Sequence, residues 1–535
     1  MDDRTTPSWI PVKPHYGPED LPPDLARDAP PPGVFPFARG IFPLGYRGSP
    51  WMESLASGYG LPEDTNRREQ YLQRLGQAAY GGRRSINLVL DRPTFCGLDS
   101  DDPRAAHEVG VVGVAIDSVE DFGRLLEGFD PAELSLGLIA DRVGPVLLAM
   151  YVAHADAAGV PHERLRGIVC NNPLTDFYSS KTPMFPPRDC VRVMVDCVRF
   201  CLAELPQMNA LRIGAYNTRE SGSTAVQEVA YNLAIAADVL HAAVTAAVPA
   251  GEVAARVNFQ FSQGPHLFEE VAKIRAARRM WARLLRERFG VVDDRACRMK
   301  IHAQTAGVSL TAQEPLNNVA RVALQVLTAA LSGVQSVHVA SYDEALGIPT
   351  EEAVRVAVKT SKIVMHETGV ADVADPLGGA YYLEALTAAL EAQAWAAFED
   401  VERRGGAVAA IESGYIEREI AHAAGRYYVE VERGERVVVG VNRFVEPEGA
   451  PPVPVFRPDP RVAAVAAERL ARLRATRDAR RHRAALEAVR TAAREGGPLM
   501  PRLVEAAAAR ATLGEIMGSL TEVFGEFPLH AIVAG

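Results

Sequence analysis

Cysteine is scarce in these 535 residues: six, none of them in a CxxC pair, so the chain offers neither a disulfide framework nor a thiolate metal knuckle. Cys96, Cys170, Cys190, Cys197, Cys201 and Cys297 read as buried thiols of a reducing compartment, and no metal site is expected. No run of about twenty apolar residues occurs, and the opening MDDRTTPSWIPVKP lacks an apolar signal core. The expectation is a cytoplasmic protein with no membrane partner. Positive charge is also short, with 57 Lys and Arg against 67 Asp and Glu for a net charge of -10, which argues against nucleic acid as a ligand. The basic run at residues 469–494 reads as solvated helix faces. GxSxG, HExxH, the P-loop and the Rossmann glycine fingerprint are all missing, so hydrolase, zinc-protease and nucleotide readings have no motif behind them.

What is present is a globular composition, 48% apolar and 23% charged, long enough for two or more domains. Eight β-like runs stand out: residues 85–91, 112–117, 134–140, 165–171, 210–216, 255–262, 297–305 and 334–341. Between them lie helical patterns such as GPVLLAMYVAHADAAG and NNVARVALQVLTAALSG, whose apolar residues recur at three and four. Eight alternating units predict an α/β fold, a (β/α)8 TIM barrel over residues 41–370. A proline-rich extended arm at 1–40 precedes it. A helical extension at 371–445 follows, then a linker and C-terminal helices at 446–535, where Thr512 and Glu515 form a capping-box pattern.

In such a barrel, chemistry belongs at the C-terminal ends of the strands. The sequence places there Asp91 and Arg92, Asp141 and Arg142, Asn171 and Asn172, Tyr216 and Asn217, Gln304 and Thr305, and Ser341 with Asp343 and Glu344. The ring is polar but has no obvious nucleophile, which suits a cofactor that carries the chemistry itself. The plainer reading of residues such as Asp343 and Asn171 is helix capping.

Five longer stretches go further: RPTFCGLDSDDPRAAHEVGVVGVAIDS, VAKIRAARRMWARLLRERFG, HAQTAGVSLTAQEPLNNVARVALQ, DEALGIPTEEAVRVA and GVADVADPLGGAYYLEALT. With the closing TLGEIMGSLTEVFGEF, they make the chain resemble the catalytic subunit of adenosylcobalamin-dependent acyl-CoA mutases, the family of methylmalonyl-CoA and isobutyryl-CoA mutase. The resemblance implies a barrel that encloses a thioester along its axis, with adenosylcobalamin over the C-terminal face. A radical generated from that cofactor would take a substrate hydrogen, a neighbouring group would migrate by one carbon, and the hydrogen would return. The family's Asp-x-His-x-x-Gly cobalamin motif is absent, so the cofactor is expected to sit mainly on a separate small subunit. A homodimer of large subunits or a heterotetramer is the implied assembly.

The resemblance also assigns residues. Gln304, Glu344 and Ala345, with Glu220, match positions facing the corrin and the adenosyl ribose. Arg256, His302, Gln335 and Ser336 match the path of the thioester carrier, where Arg47 is kept but Ser49 and Ser54 stand for arginines. The substrate side departs from the pattern. Asn217, beside Tyr216, replaces a histidine that bonds the thioester carbonyl; Ala56 replaces a tyrosine, Cys170 a glutamine, and Ser180 the arginine that pairs a substrate carboxylate. Lys181 is the nearest substitute cation in sequence. These changes imply a mutase for an atypical, bulkier acyl thioester, an acyl-CoA other than methylmalonyl-CoA. A substrate on another carrier, or a catalytically silent assembly homologue, is the alternative.

Overall fold

The structure, a computed structural model, describes residues 4–75, 84–182, 185–446 and 452–528. The first part of the expected linker therefore lies outside the described residues. Eleven strands alternate with helices: β1 (Met52–Glu53), β2 (Tyr59–Gly60), β3 (Arg84–Val89), β4 (Gly113–Val114), β5 (Leu134–Ile139), β6 (Arg166–Cys170), β7 (Gln207–Asn209), β8 (Leu211–Ile213), β9 (Val257–Gln263), β10 (Lys300–Thr305) and β11 (Ser336–His338). Each of the eight β-like runs overlaps one of them. The three that the sequence pattern missed, β1, β2 and β7, are two or three residues long, too short to show a period.

Every registered strand pair is parallel, as strands joined through helices must be. They form a sheet in the order β1-β11-β10-β9-β8, a second in the order β3-β5-β6-β7, and the pair β2-β4. Closure into a single barrel is not found among the described residues. The observed architecture is mixed α/β with parallel sheets.

The chain divides into two compact units. The first comprises Met1–Glu53, Ile213–His241 and Pro249–Phe456; the second comprises Ser54–Arg212, Ala242–Val248 and Arg457–Gly535. In the first, helix Leu267–Arg283 packs on helix Tyr381–Arg403. Arg275 meets Glu384 at 3.2 Å and Arg283 meets Glu391 at 3.0 Å across that contact. The N-terminal arm lies against this same unit: the Ser8 amide donates to Glu269 at 2.8 Å and the Trp9 indole to Glu430 at 2.6 Å. Deeper in, Lys273, wholly buried, donates to Glu228 at 2.8 Å and to the Ser262 carbonyl at 2.5 Å, with Glu270 beside it.

In the second unit, helix Gly144–Ala157 is apolar and buried on all sides from Gly144 to Ala153, with His154 and Asp156 emerging only in its last turn. Helix Met500–Ala508 packs on it. The last helix, Leu513–Phe524, starts with the expected capping box at Thr512 and Glu515. Thr512 also donates to Asp99 at 2.6 Å, and the Gly514 amide donates to the same carboxylate at 2.7 Å. A Cβ at Gly514 would come within 2.8 Å of the Asp99 carboxyl carbon, so this approach needs glycine. No helix among the described residues is long and apolar enough to cross a membrane.

Candidate active site

Strand β10 sets the geometry of the first unit. Side chains alternate along a strand, so Lys300, His302 and Gln304 share one half-buried face while Ile301, Ala303 and Thr305 pack into the core. Register extends the polar face sideways: His302 pairs with Gln260 on β9 and Ser336 on β11, and Gln304 pairs with Ser262 and His338. The face is built of amides, hydroxyls and imidazoles, with the Lys300 ammonium at one end. It is also internally bonded. Gln260 donates to Gln304 Oε1 at 2.6 Å, and His302 Nδ1 lies 2.8 Å from Ser336 Oγ. Gln260 and Lys300 were not anticipated from sequence, although the alternation in NFQFSQ, with Phe259 and Phe261 buried, could have revealed the first.

The carrier-side residues spread along this face. Arg256 sits just before β9, half-buried, close enough to Lys300 that its charge joins burial in lowering the Lys300 pKa. From Lys300 to Gln304 the strand spans about 13 Å, the length of a track rather than a point site. Gln335 is differently engaged: its Oε1 accepts from the Ile301 amide at 2.8 Å and its Nε2 donates to the Gly333 carbonyl at 3.0 Å. That side chain ties the edges of two strands together.

At the C-terminal end of β10 several groups converge. Tyr216, Asn217 and Glu220 lie on a short helix, Ala215–Glu220, which a turn separates from the long helix Ala225–Thr245. The β-like run 210–216 carried the strand through Tyr216, whereas the strand stops at Ile213 and Tyr216 belongs to the short helix. Glu220 Oε2 accepts from the Val308 amide at 2.7 Å, while its buried Oε1 has no partner. Burial, with smaller pushes from Glu344 and Glu228, raises the Glu220 carboxyl to about 7. Burial likewise lifts Glu344 to about 7, with its Oε2 taking the Ser341 amide at 3.2 Å. The Tyr216 phenol is pushed well up by burial and by the charges of Glu220 and Glu344.

Gly307 lies between these groups. A Cβ there would meet Glu220 Oε2 at 3.0 Å and the Tyr216 hydroxyl at 3.1 Å. Ala345 is exposed next to Glu344. An orphaned buried carboxylate oxygen, a second carboxyl, a phenol and an amide around a bare backbone fit a ligand rich in hydroxyls and amides, which adenosylcobalamin is. The side-chain amide of Asn217 has no hydrogen-bond partner among the described residues.

The second unit holds Ala56, Cys170 and Ser180. Ala56 precedes Ser57, which exchanges backbone bonds with β3: Ser57 N to Asn87 O and Val89 N to Ser57 O, both 2.9 Å. Cys170 ends β6 in register with Ile139, itself paired with Val89, so all three share one face. Burial pushes its thiol up to about 12, which keeps it protonated. Ser180 is half-buried, its hydroxyl 3.3 Å from that of Thr182. Around these strand ends Arg212 meets Asp141 at 3.1 Å, and Asp176, at 1% exposure, has no hydrogen-bond partner for either carboxylate oxygen. Asn171 Oδ1 and both side-chain heteroatoms of Asn172 are similarly buried and unpartnered. Two members of the predicted ring are structural. Asp91 caps Thr94 at 2.9 Å and holds the Gly110 amide at 2.6 Å; Asp343 takes the Thr350 amide and hydroxyl at 2.9 Å.

Comparison with known proteins identifies the lineage. The family model described as methylmalonyl-CoA mutase matches residues 5–526. A probable mitochondrial methylmalonyl-CoA mutase of Caenorhabditis elegans is 35% identical over 529 residues, 99% of this chain and 70% of its own length. The methylmalonyl-CoA mutase of Rhizobium meliloti is 36% identical over 524 residues, 98% of this chain and 72% of its own. The 2-hydroxyisobutanoyl-CoA mutase large subunit of Aquincola tertiaricarbonis is 37% identical over 519 residues, 97% of this chain and 91% of its own. By the family match and by these relatives, the chain belongs to the methylmalonyl-CoA mutase family of cobalamin-dependent acyl-CoA mutases, and it is an isomerase.

Proposed function

We propose that this chain is the large subunit of an adenosylcobalamin-dependent carbon-skeleton mutase acting on an acyl thioester other than methylmalonyl-CoA, with a small cobalamin-binding subunit as partner. In this reading the parallel sheets belong to a (β/α)8 barrel around the thioester. The observation that carries it is the cluster at Gly307, where Glu220 keeps a buried oxygen unpartnered beside Tyr216, Gln304 and Glu344. When bound, adenosylcobalamin supplies the radical that starts a 1,2-rearrangement.

The chain's own residues enclose and orient. Glu220, Glu344 and Gln304 hold hydroxyl and amide edges of the cofactor; with carboxyls at about 7, the two glutamates are partly protonated at neutral pH and serve as donors as well as acceptors. Arg256, His302 and Ser336 line the track of the carrier. Asn217 donates a hydrogen bond to the thioester carbonyl and remains neutral, so charge on the migrating acyl group is met by a dipole instead of a cation. Ala56, Ser180 and the protonated thiol of Cys170 leave room and no formal charge where the acyl chain lies.

Adenosylcobalamin titration tests the division of labour. The purified chain is expected to take up the cofactor weakly or not at all in gel filtration, and to retain it once the small subunit is added. Tight, stoichiometric uptake by the large chain alone would overturn the two-subunit reading.

A further inference from the structure

Within the first unit, the N-terminal arm reaches the segment that carries Tyr216 and Asn217. Residues 4–12 fold back on themselves: Thr5 bridges Pro11, the Thr6 amide donates to the Ile10 carbonyl at 2.9 Å, and the Trp9 amide donates to the Thr6 carbonyl at 2.9 Å. Trp9 has φ +60, a backbone that a bulky side chain rarely adopts. It is held there from outside the arm, by the bond of its indole to Glu430 and by Arg426, 3.9 Å from the ring centre. This turn sets the buried Ser8 between two helix starts. Its amide donates to Glu269, in the first turn of helix Leu267–Arg283, and its Oγ accepts at 3.1 Å from the amide of Ala225, the first residue of helix Ala225–Thr245. An amide at that position has no acceptor within its own helix, so the Ser8 hydroxyl supplies one from 217 residues away.

Residues 221–224 join that helix to the short helix Ala215–Glu220, and each of them is tied. Ser221 Oγ donates to the Asn217 carbonyl at 2.8 Å, Arg219 donates to the Ser223 carbonyl, and the Thr224 amide donates to Gln227 Oε1 at 3.0 Å. Gly222 has φ +100, and a Cβ there would come within 2.6 Å of the Ala424 methyl. A link with no slack passes any shift of Ala225 on to the short helix. We infer that Ser8 is a positioning residue for the rearrangement: from the arm it fixes the start of helix Ala225–Thr245, and through the link the placement of Tyr216 and Asn217. This rests on the mutase reading and adds to it a residue that touches neither substrate nor cofactor. A misplacement of about 1 Å can cost about a hundredfold in rate, so a remote hydroxyl is able to set kcat.

Hydrogen exchange and turnover on the full chain test this together, turnover with the small subunit and adenosylcobalamin present and well below the unfolding midpoint of every protein compared. Ser8→Ala should speed amide exchange across residues 215–228 about fivefold, the effect of one lost cap, and leave helix Tyr381–Arg403 unchanged. On the fastest of isobutyryl-, 2-methylbutanoyl-, 2-hydroxyisobutanoyl- and 2-ethylmalonyl-CoA, its kcat should fall about tenfold or more with KM little changed. Ser8→Thr keeps the hydroxyl and should bring both readouts back to within about twofold of wild type. Lys13→Ala, which removes the arm's exposed pair with Asp20, should move neither. Full kcat in Ser8→Ala, a loss that Ser8→Thr does not recover, or a loss with exchange at 215–228 unchanged overturns the role of Ser8 and leaves the mutase reading standing. Absence of turnover by wild type on all four thioesters overturns the mutase reading and this inference with it.

Discussion

Two polar regions of the molecule are managed in opposite ways. The β10 face and the Lys273 cluster of the first unit are answered internally, Gln260 with Gln304, His302 with Ser336, Gln335 with two backbone groups, and Lys273 with Glu228 and Ser262, although the same unit leaves Glu220 Oε1 open at Gly307. In the second, the ends of β5 and β6 bury Asn171, Asn172 and Asp176 with side-chain atoms that nothing satisfies. A satisfied network fixes geometry, whereas an unsatisfied one carries a desolvation cost that a ligand or water can relieve. The first arrangement suits the part of a reaction common to a family. The second suits the part that differs between its members, and under the proposed function it is where Ala56, Cys170 and Ser180 meet the acyl chain.

The comparison can be broken by substitution. Lys273→Met should have the largest effect, because it leaves buried Glu228 without its cation and Glu270 with only Arg219, at 3.6 Å; a loss of about 3–5 kcal/mol is expected in denaturant unfolding. A loss below about 1 kcal/mol would mean that the network is not what holds the first unit.

Asn217→Asp comes next. It turns a hydrogen-bond donor into a charged acceptor facing developing negative charge, and with the small subunit present kcat should fall about a hundredfold or more on the best thioester. Stability should be unchanged, since the native amide has no partner to lose. Near-full turnover would make the residue structural.

The smallest effect has the opposite sign. Burial, then the charge of Asp141, pushes the Asp176 carboxyl well above its usual value. A raised carboxyl binds more protons in the folded state than in the unfolded, so its cost is absent below the unfolded pKa and grows as pH rises towards the folded one. Asp176→Asn should therefore stabilise the chain by about 1–3 kcal/mol at pH 7, with the gain vanishing towards pH 4. Destabilisation at pH 7 would show that the carboxylate is satisfied after all, and the contrast between the units would fail.

Much of the scaffold was legible in the sequence because it is written locally. Strands such as β5 and helices such as Gly144–Ala157 announce themselves through apolar runs, and the cap at Thr512 through the identity of Glu515 three residues on. The short helix Ala215–Glu220 was not legible, because its first residues continue the β-like run 210–216 and its polar remainder shows no apolar period. Chemistry-bearing positions such as Tyr216, Gln304 and Glu344 could be named from motifs, but their meeting at Gly307 depends on segments about ninety to a hundred and thirty residues apart along the chain.

The clasp between Thr512, Gly514 and Asp99 has a consequence in time. Its partners are 413 residues apart, so at ordinary synthesis rates Asp99 leaves the ribosome roughly 20–80 s before the helix that will grip it. Throughout that interval the GLDSDDP loop next to the strand ends has neither Thr512 nor Gly514 to hold it. The second unit is thus finished last, and a nascent chain interrupted before residue 512 carries its sheet without the lock on that loop.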